Sequence, residues 1–301
     1  MKIKKRDQKK IITSFITILL ILFYYFFTNY IIPAYSNENE ETYIIPEGNL
    51  VVEFIDVGQA DCIFISSNGH NALIDAGNEE DGQKLIDYFN KLGIKDFDFV
   101  MGTHPHEDHI GGLDDIIKNF NIHTVYLPNV TTTTKTFDNL LSAIENKNLN
   151  ITIPKEDEII SLGEATFKIL YTGTNPDDLN SDSIITKLSF GKYSFLFTGD
   201  TTSGVEEELL QKNINIDILK VAHHGSEYST TNSFLASSTP EYAVISVGND
   251  NSYNHPSKKT IDRIKKYTHN IYQTKDLGTI IFAIDKEELK ISNIKTDTNG
   301  G

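Results

Sequence analysis

The segment Thr103-His104-Pro105-His106-Glu107-Asp108-His109-Ile110-Gly111-Gly112 constrains this chain more than any other. It places three histidines and an aspartate within six residues, directly after residues 97–101, whose apolar character predicts a buried strand. Alternation along an extended backbone aims His104 and His106 the same way. A turn into a helix then brings Asp108 and His109 to a neighbouring point at a loop edge, and Gly111 and Gly112 leave room for another backbone to approach. Imidazole and carboxylate donors suit zinc and also manganese or iron, so the spacing fits two adjacent ions. A solitary histidine carries no such weight, and His70, His123 and His269, which lack this context, are expected at the surface. Two later stretches also follow predicted strands: Thr198-Gly199-Asp200 and Val221-Ala222-His223-His224-Gly225-Ser226. Strand ends from both halves of the chain can therefore converge on one place.

Around these stretches the chain alternates strands and helices. Residues 50–55, 62–66 and 71–74 predict strands, and the spacing of Leu85, Ile86, Phe89 and Leu92 predicts a helix closed by Gly93. Leu113, Ile116, Ile117 and Phe120 give a second helix, and residues 125–127 another strand. The second half starts afresh with strands at 165–171, 184–190 and 194–197. A helix at 205–212, strands at 216–221 and 242–247, a helix at 258–267 and strands near Ile271 and over 278–283 complete it. Each half thus runs from hairpin strands into βα units, which predicts two similar layers packed sheet on sheet with helices outside.

Composition limits the chemistry. Cys62 is the only cysteine, which excludes disulfide frameworks and cysteine zinc sites, so any metal chemistry falls to the nine histidines. Lys2, Lys4, Lys5, Arg6, Lys9 and Lys10 against Asp7 give a local +5 within a chain of net −15, leaving −20 for the rest. Such an acidic body does not draw nucleic acid over long range, and an anionic substrate must be captured locally by metal or by a small basic patch. Residues 11–32 form a run of 22 without a formal charge. As a helix it would span about 33 Å, enough for a bilayer core of about 30 Å. The basic cluster before it should stay cytoplasmic, and Tyr24, Tyr25, Phe26, Phe27 and Tyr30 sit where an interfacial aromatic belt would lie. The expected organisation is a cytoplasmic basic segment (1–10), a single transmembrane anchor (11–32), a polar linker (33–47) and an extracytoplasmic domain (48–301). A cleaved signal segment is the alternative, because Ala34-Tyr35-Ser36 offers small residues at a cleavage position.

Taken with the histidine cluster, further stretches carry a resemblance. They are Phe54-Ile55-Asp56-Val57-Gly58-Gln59-Ala60-Asp61, Leu73-Ile74-Asp75-Ala76-Gly77, Phe197-Thr198-Gly199-Asp200, residues 219–226 and Asn254-His255-Pro256-Ser257. Over roughly residues 48–295 the chain resembles metallo-β-lactamase-fold hydrolases. More narrowly, it is similar to the extracytoplasmic β-lactamase-like domain of ComEC competence proteins. The resemblance implies an α/β fold, an αββα four-layer sandwich, with two divalent metal ions, zinc or manganese, between the sheets. It implies His104 and His106 as ligands of one ion, Asp108, His109 and His224 as ligands of the other, and Asp200 as the bridge. Asp75 resembles a carboxylate that orients a ligand histidine. Asp108 and His223 are the expected catalytic groups, His223 being either a further ligand or a proton donor. His255 and Lys258 are expected to contact substrate. Asp56, Gln59 and Asp61 either shape the loop beside the metals or form a purely structural turn.

Many members of that superfamily give the first metal another histidine from the region before the Gly-Asp motif. Here that region reads Asp177-Asp178-Leu179-Asn180-Ser181-Asp182-Ser183 and has none. Fewer imidazoles favour metals content with oxygen ligands, so the two sites should differ in affinity unless Asp178 or Asp182 replaces the missing ligand. The expected reaction is hydrolysis of a phosphodiester, DNA included, by a dinuclear metal-activated water. The alternatives are an envelope phosphodiesterase acting on teichoic-acid phosphorylcholine, a β-lactam hydrolase, and a tethered non-catalytic metal-binding module. One apolar span cannot thread a DNA strand, so hydrolysis rather than uptake is expected. The sequence points to no protein partner.

Overall fold

Successive strand residues point to opposite faces, and in this protein both faces of two sheets are apolar. A computed structural model describes residues 17–27, 48–175, 177–249 and 251–295. The first sheet has eight strands, in spatial order Glu288–Ile294, Thr279–Asp285, Leu50–Phe54, Cys62–Ser67, His70–Ala76, Phe99–Met101, Val125–Tyr126 and Ile151–Thr152. The second has seven, in the order Asn270–Gln273, Tyr242–Ile245, Ile218–Lys220, Tyr193–Phe197, Ile185–Phe190, Ala165–Tyr171 and Ile159–Leu162. In both sheets antiparallel pairing gives way to parallel pairing, at His70–Ala76 with Phe99–Met101 in one and at Tyr193–Phe197 with Ile218–Lys220 in the other. The predicted passage from hairpins to βα units is therefore present in each half.

Three apolar layers follow from the alternation. Between the sheets lie Val52, Phe54, Ile63, Ile65, Phe167 and Phe197, among others. The other face of the first sheet, through Phe64, Leu73 and Val100, packs on Phe89, Ile116 and Leu140 of the helices Gly82–Lys91, Leu113–Asn119 and Lys135–Asn146. The outer face of the second sheet, through Leu196, Leu219 and Ala243, packs on Leu209, Phe234 and Ile264 of the helices Ser203–Leu209, Asn232–Ser238 and Lys258–Ile264. Helix, sheet, sheet and helix are stacked in that order.

Three features differ from expectation. Residues 278–283 were expected to end the second half, yet Thr279–Asp285 pairs antiparallel with Leu50–Phe54 and so belongs to the first sheet. Pairing is decided by long-range apolar contact, which order along the chain does not encode. The predicted strand 97–101 is split, because Asp96–Phe97 pairs with Asn121–Ile122 in a separate two-stranded sheet. The helix Lys135–Asn146 follows the threonine run 131–134, and Thr134 Oγ1 caps it by accepting from Phe137 N at 3.3 Å.

Residues 1–44 and 45–301 form two separate units. In the first, residues 17–27 are helical and exposed. No helix among the described residues is long and apolar enough to cross a membrane. The predicted span 11–32 extends beyond the described residues on both sides, and segments 1–10 and 33–47 lie outside them.

Candidate active site

The histidine cluster leaves the first sheet where Phe99–Met101 ends. The strand beside it, His70–Ala76, ends in Asp75, held at φ 58° and only 1% exposed. Asp75 organises the cluster: Thr103 N donates to its Oδ1 and Thr103 Oγ1 to its Oδ2, both at 2.7 Å, and His109 Nδ1 donates to Oδ2 at 2.8 Å. That last bond fixes the tautomer, so His109 presents Nε2 to the cleft side. The short helix Glu107–Ile110 carries Asp108 and His109 and packs closely on the turn after Asp75. A side chain at Gly111 would stand 2.3 Å from Asn78 carbonyl carbon, and one at Gly112 2.4 Å from Ala76 O. The two glycines are thus required by backbone approach.

The second sheet supplies the opposite wall. Asp200 follows Tyr193–Phe197, and its backbone N donates to Ser183 Oγ at 3.1 Å. His223 and His224 follow Ile218–Lys220, both at φ 50°, a left-handed conformation that non-glycine residues hold at a cost. His223 N donates to Gly199 O at 3.1 Å, and His224 Nδ1 donates to Ser246 O at 2.9 Å, which leaves His224 Nε2 facing the site.

Asp108, His109, Asp200 and His224 each offer a donor atom, all within 4.8 Å of one another. His109 Nε2 lies 3.3 Å from Asp200 Oδ1, and His224 Nε2 lies 3.3 Å from Asp108 Oδ2 and 3.6 Å from Asp200 Oδ2. None of His109 Nε2, Asp200 Oδ1 and His224 Nε2 is aligned with a hydrogen-bond partner, although all three are buried. Buried polar atoms without partners are costly, and three converging on one point fit a divalent cation. The residues present therefore suit the metal that the fold implies.

Electrostatics agree. Burial works against charge on His109, but the carboxylates of Asp200, Asp75 and Asp108 outweigh it and raise the imidazole well above its ordinary range. His224 is raised in the same way, against burial, by Asp200 and Asp108. Burial pushes the Asp200 and Asp108 carboxyls up, yet His109 and His224 hold both below the usual range. The two carboxylates thus favour positive charge at this point, the charge a divalent ion would bring.

Other predicted residues stand nearby with different surroundings. His104 is fully buried and His106 half-buried, with Nε2 of the first 3.0 Å from Nδ1 of the second. They adjoin His109, whose ring centroid is 4.1 Å from that of His104, but belong to no group of three or more donors among the described residues. Burial lowers His104 well below the usual histidine range. His223 Nε2 is 3.6 Å from Asp200 Oδ2, and its side chain is 28% exposed. Asp178 and Asp182 join neither group of donors. Asp182 Oδ1 instead accepts from Asn175 N at 2.5 Å. His70, His123 and His269 are exposed, as expected.

An open cleft of about 360 Å³ reaches this group, lined by Asp108, Asp200, His223 and His224 and by Tyr253 and His255. Lys258 does not line it. Its ammonium is 2.5 Å from Asp262 on its own helix, which corrects the expectation that it meets substrate from there. The loop-edge expectation for His109 is also corrected. Its side chain is wholly buried behind Asp108, because its second nitrogen must reach Asp75.

The sequence reading overlooked Lys220. Its side chain is fully buried at the end of Ile218–Lys220 and forms an ion pair with Asp61, itself 1% exposed. Asp61 and Asp75 surround His109 from behind. This second acidic group is occupied, by Lys220 on Asp61 and by Thr103 and His109 on Asp75, so it supports the site rather than forming another. A lysine inside an otherwise apolar strand, three residues before the histidine pair, was the available signal. Asp61 N also donates to Asp108 O at 3.0 Å, so the 56–61 loop belongs to the site.

Comparison with known proteins shows the family and the fold. The model for the metallo-beta-lactamase superfamily covers residues 55–249. "ComE operon protein 3" of Bacillus subtilis is 28% identical over 272 residues, covering 83% of this chain and 34% of that protein. "Recombination protein 2" of Haemophilus influenzae is 28% identical over 250 residues, covering 81% of this chain and 30% of that protein. The chain thus spans about a third of the length of these relatives. Among solved structures, the metallo-beta-lactamase fold protein YhfI from Bacillus subtilis superposes with a TM-score of 0.52 at 12% identity, covering 81% of this chain and 99% of that one, a likeness of fold alone.

Proposed function

Because the chain belongs to the metallo-beta-lactamase superfamily, a family of metal-dependent hydrolases, we propose that it is a metal-dependent phosphodiesterase whose substrates include DNA. The observation that carries this reading is the set of buried, unpartnered atoms on His109, Asp200 and His224, of which Asp200 and His224 belong to residues lining the cleft. Asp108, His109, Asp200 and His224 would hold one divalent ion. His104 and His106, beside them, would hold a second with Asp200 as the shared ligand. When bound, such ions neutralise phosphate charge and make water acidic enough to act as a nucleophile near neutral pH.

The chain's own residues perform the remaining tasks. Asp75 and Ser246 O fix the tautomers of His109 and His224, so both Nε2 atoms face the reaction. Asp108, the most exposed of the four donors, is placed to accept the proton of the attacking water. The phosphorus–oxygen bond to the leaving group then breaks in line with the new bond. His223, on the cleft wall beside Asp200, would donate a proton from Nε2 to the departing oxygen once protonated, burial lowering its imidazole below the ordinary range. The products are a phosphomonoester and an alcohol.

Similarity to competence proteins supports the nuclease form of this reading over action on teichoic-acid phosphorylcholine. The basic cluster and the uncharged run 11–32 support a single-pass anchor with the catalytic domain extracytoplasmic. A substrate panel tests the reading: metal-loaded protein should cleave a single-stranded oligonucleotide faster than phosphocholine esters or β-lactams, with manganese at least as effective as zinc. Preference for the choline ester, or for no phosphodiester, would reject it. Protease added to intact cells should degrade the body, and protection until lysis would reverse the orientation.

A further inference from the structure

His255, expected from the sequence to meet substrate, lines the cleft together with Tyr253, which has no task so far. Tyr253 is 68% exposed, and its ring stacks on His255 with centroids 5.6 Å apart and planes 23° apart. His255 in turn meets His223 edge to face at 5.6 Å. The loop holding this pair is clamped by Asn251, whose Oδ1 accepts from His255 N at 2.8 Å while its Nδ2 donates to His255 O at 2.8 Å and Gly248 O at 2.9 Å. A large aromatic face is therefore held open to solvent on a fixed loop beside the reacting groups.

Polar atoms of the same cleft lack partners. Gln59 Oε1 accepts from Gly248 N at 3.2 Å, which fixes the amide and leaves Nε2 as a buried donor with nothing to bond. Asn180 Oδ1 and His255 Nδ1 are likewise buried and unpaired. These three are distinct from the atoms on His109, Asp200 and His224, so they call for a second ligand group beside the metal. The described residues lining the cleft include no lysine or arginine. A strand tracked by its phosphates would need such residues; here grip must come from elsewhere on the substrate.

We propose that Tyr253, His255, Gln59 and Asn180 form a nucleobase subsite, in which the base flanking the scissile phosphate stacks on Tyr253 and its polar edge meets the unpaired donor and acceptor atoms. This rests on the phosphodiesterase reading above. A base offers both a flat π face and a mixed donor–acceptor edge, and stacking on an aromatic is tolerant of sequence. A choline group offers neither an edge for Gln59 and Asn180 nor, with one tyrosine, the several faces that enclose a quaternary ammonium. The subsite binds and selects; the chemistry stays with Asp108, Asp200, His223 and His224.

The test compares a single-stranded trinucleotide with a strand of equal length bearing abasic tetrahydrofuran units, on the full metal-loaded chain. Wild type should show a KM about tenfold lower for the base-bearing strand, with a shallow salt dependence. Tyr253→Ala should reduce that preference below twofold through KM rather than kcat, and Tyr253→Phe should keep it. An unchanged preference in Tyr253→Ala, or none in wild type, overturns the proposal. If wild type cleaves neither strand, the phosphodiesterase reading fails separately, and calorimetry with adenosine 5′-monophosphate decides the subsite. Binding that Tyr253→Ala abolishes supports it; no binding, or binding of phosphocholine instead, overturns it.

Discussion

Replacing Lys220 by methionine isolates the buried support beneath the site. Lys220 and Asp61 are 0% and 1% exposed. Asp61 has few substitutes for the lost ammonium: Oδ1 already lacks a hydrogen-bond partner. The nearest imidazole nitrogens, His224 Nδ1 at 3.6 Å and His109 Nδ1 at 3.8 Å, already donate hydrogen bonds to Ser246 O and Asp75. Removing one partner of such a pair costs about 3–5 kcal/mol, because the other charge is left buried and unpaired. For a body of this size that lowers the melting temperature by roughly 6–20 °C. Replacing both partners by apolar residues, Lys220→Met with Asp61→Leu, should recover most of the loss, since the cost lies in the orphaned charge. Urea unfolding followed by circular dichroism, with chelator present so that metal binding does not mask the change, measures both variants. A single variant within about 1 kcal/mol of wild type, or a double variant no better than the single, would refute the reasoning.

Asp75→Asn should lower divalent-metal affinity about 10–100-fold, measured by competition with a chromophoric chelator, while circular dichroism stays unchanged, because the amide keeps one acceptor oxygen and turns its NH2 toward either Thr103 N or the Thr103 Oγ1 and His109 Nδ1 pair. Calorimetric metal titration near neutral pH, repeated in buffers of different ionisation enthalpy, should reveal proton release, since His109 and His224 are raised in the metal-free protein and must lose protons to bind. Glu53 gives a pH signature away from the site: burial, only partly offset by the Tyr88 hydrogen bond, lifts it from 4.5 to about 7. Its contribution to stability is full below pH 4.5 and is lost as the pH rises toward about 7, a total of about 3 kcal/mol. Glu53→Gln should therefore be more stable than wild type at pH 8 by about that amount, with the difference vanishing below pH 4.5 in denaturant melts.

The donors of the site were legible because they are close in sequence or mark strand ends. His104 to His109 declare themselves by density, and Asp200 and His224 by following apolar runs. The layer order was legible too, since strands such as Cys62–Ser67 are apolar on both faces and the helices on one. What stayed hidden depends on pairing across the chain. Thr279–Asp285 is an apolar strand whose sheet is chosen by contact with Leu50–Phe54, more than two hundred residues earlier. Lys220 resembles an ordinary strand-end lysine until Asp61 is brought against it. Lys258 was assigned by nearness in sequence to His255, but the helix it begins turns it toward Asp262. Tyr253 was passed over because its significance lies in exposure and in the ring behind it, neither of which residue order encodes.

The proposed activity is hydrolysis of phosphodiesters through metal held at Asp108, His109, Asp200 and His224. Its most direct test is turnover of a fluorogenic phosphodiester by the full chain in detergent, after chelation and again after divalent metal is restored, with Asp200→Asn in parallel. The account predicts activity that falls to background with chelator, returns with metal, and stays at background in a folded Asp200→Asn variant. Turnover that survives chelation, or that the variant retains, would contradict it.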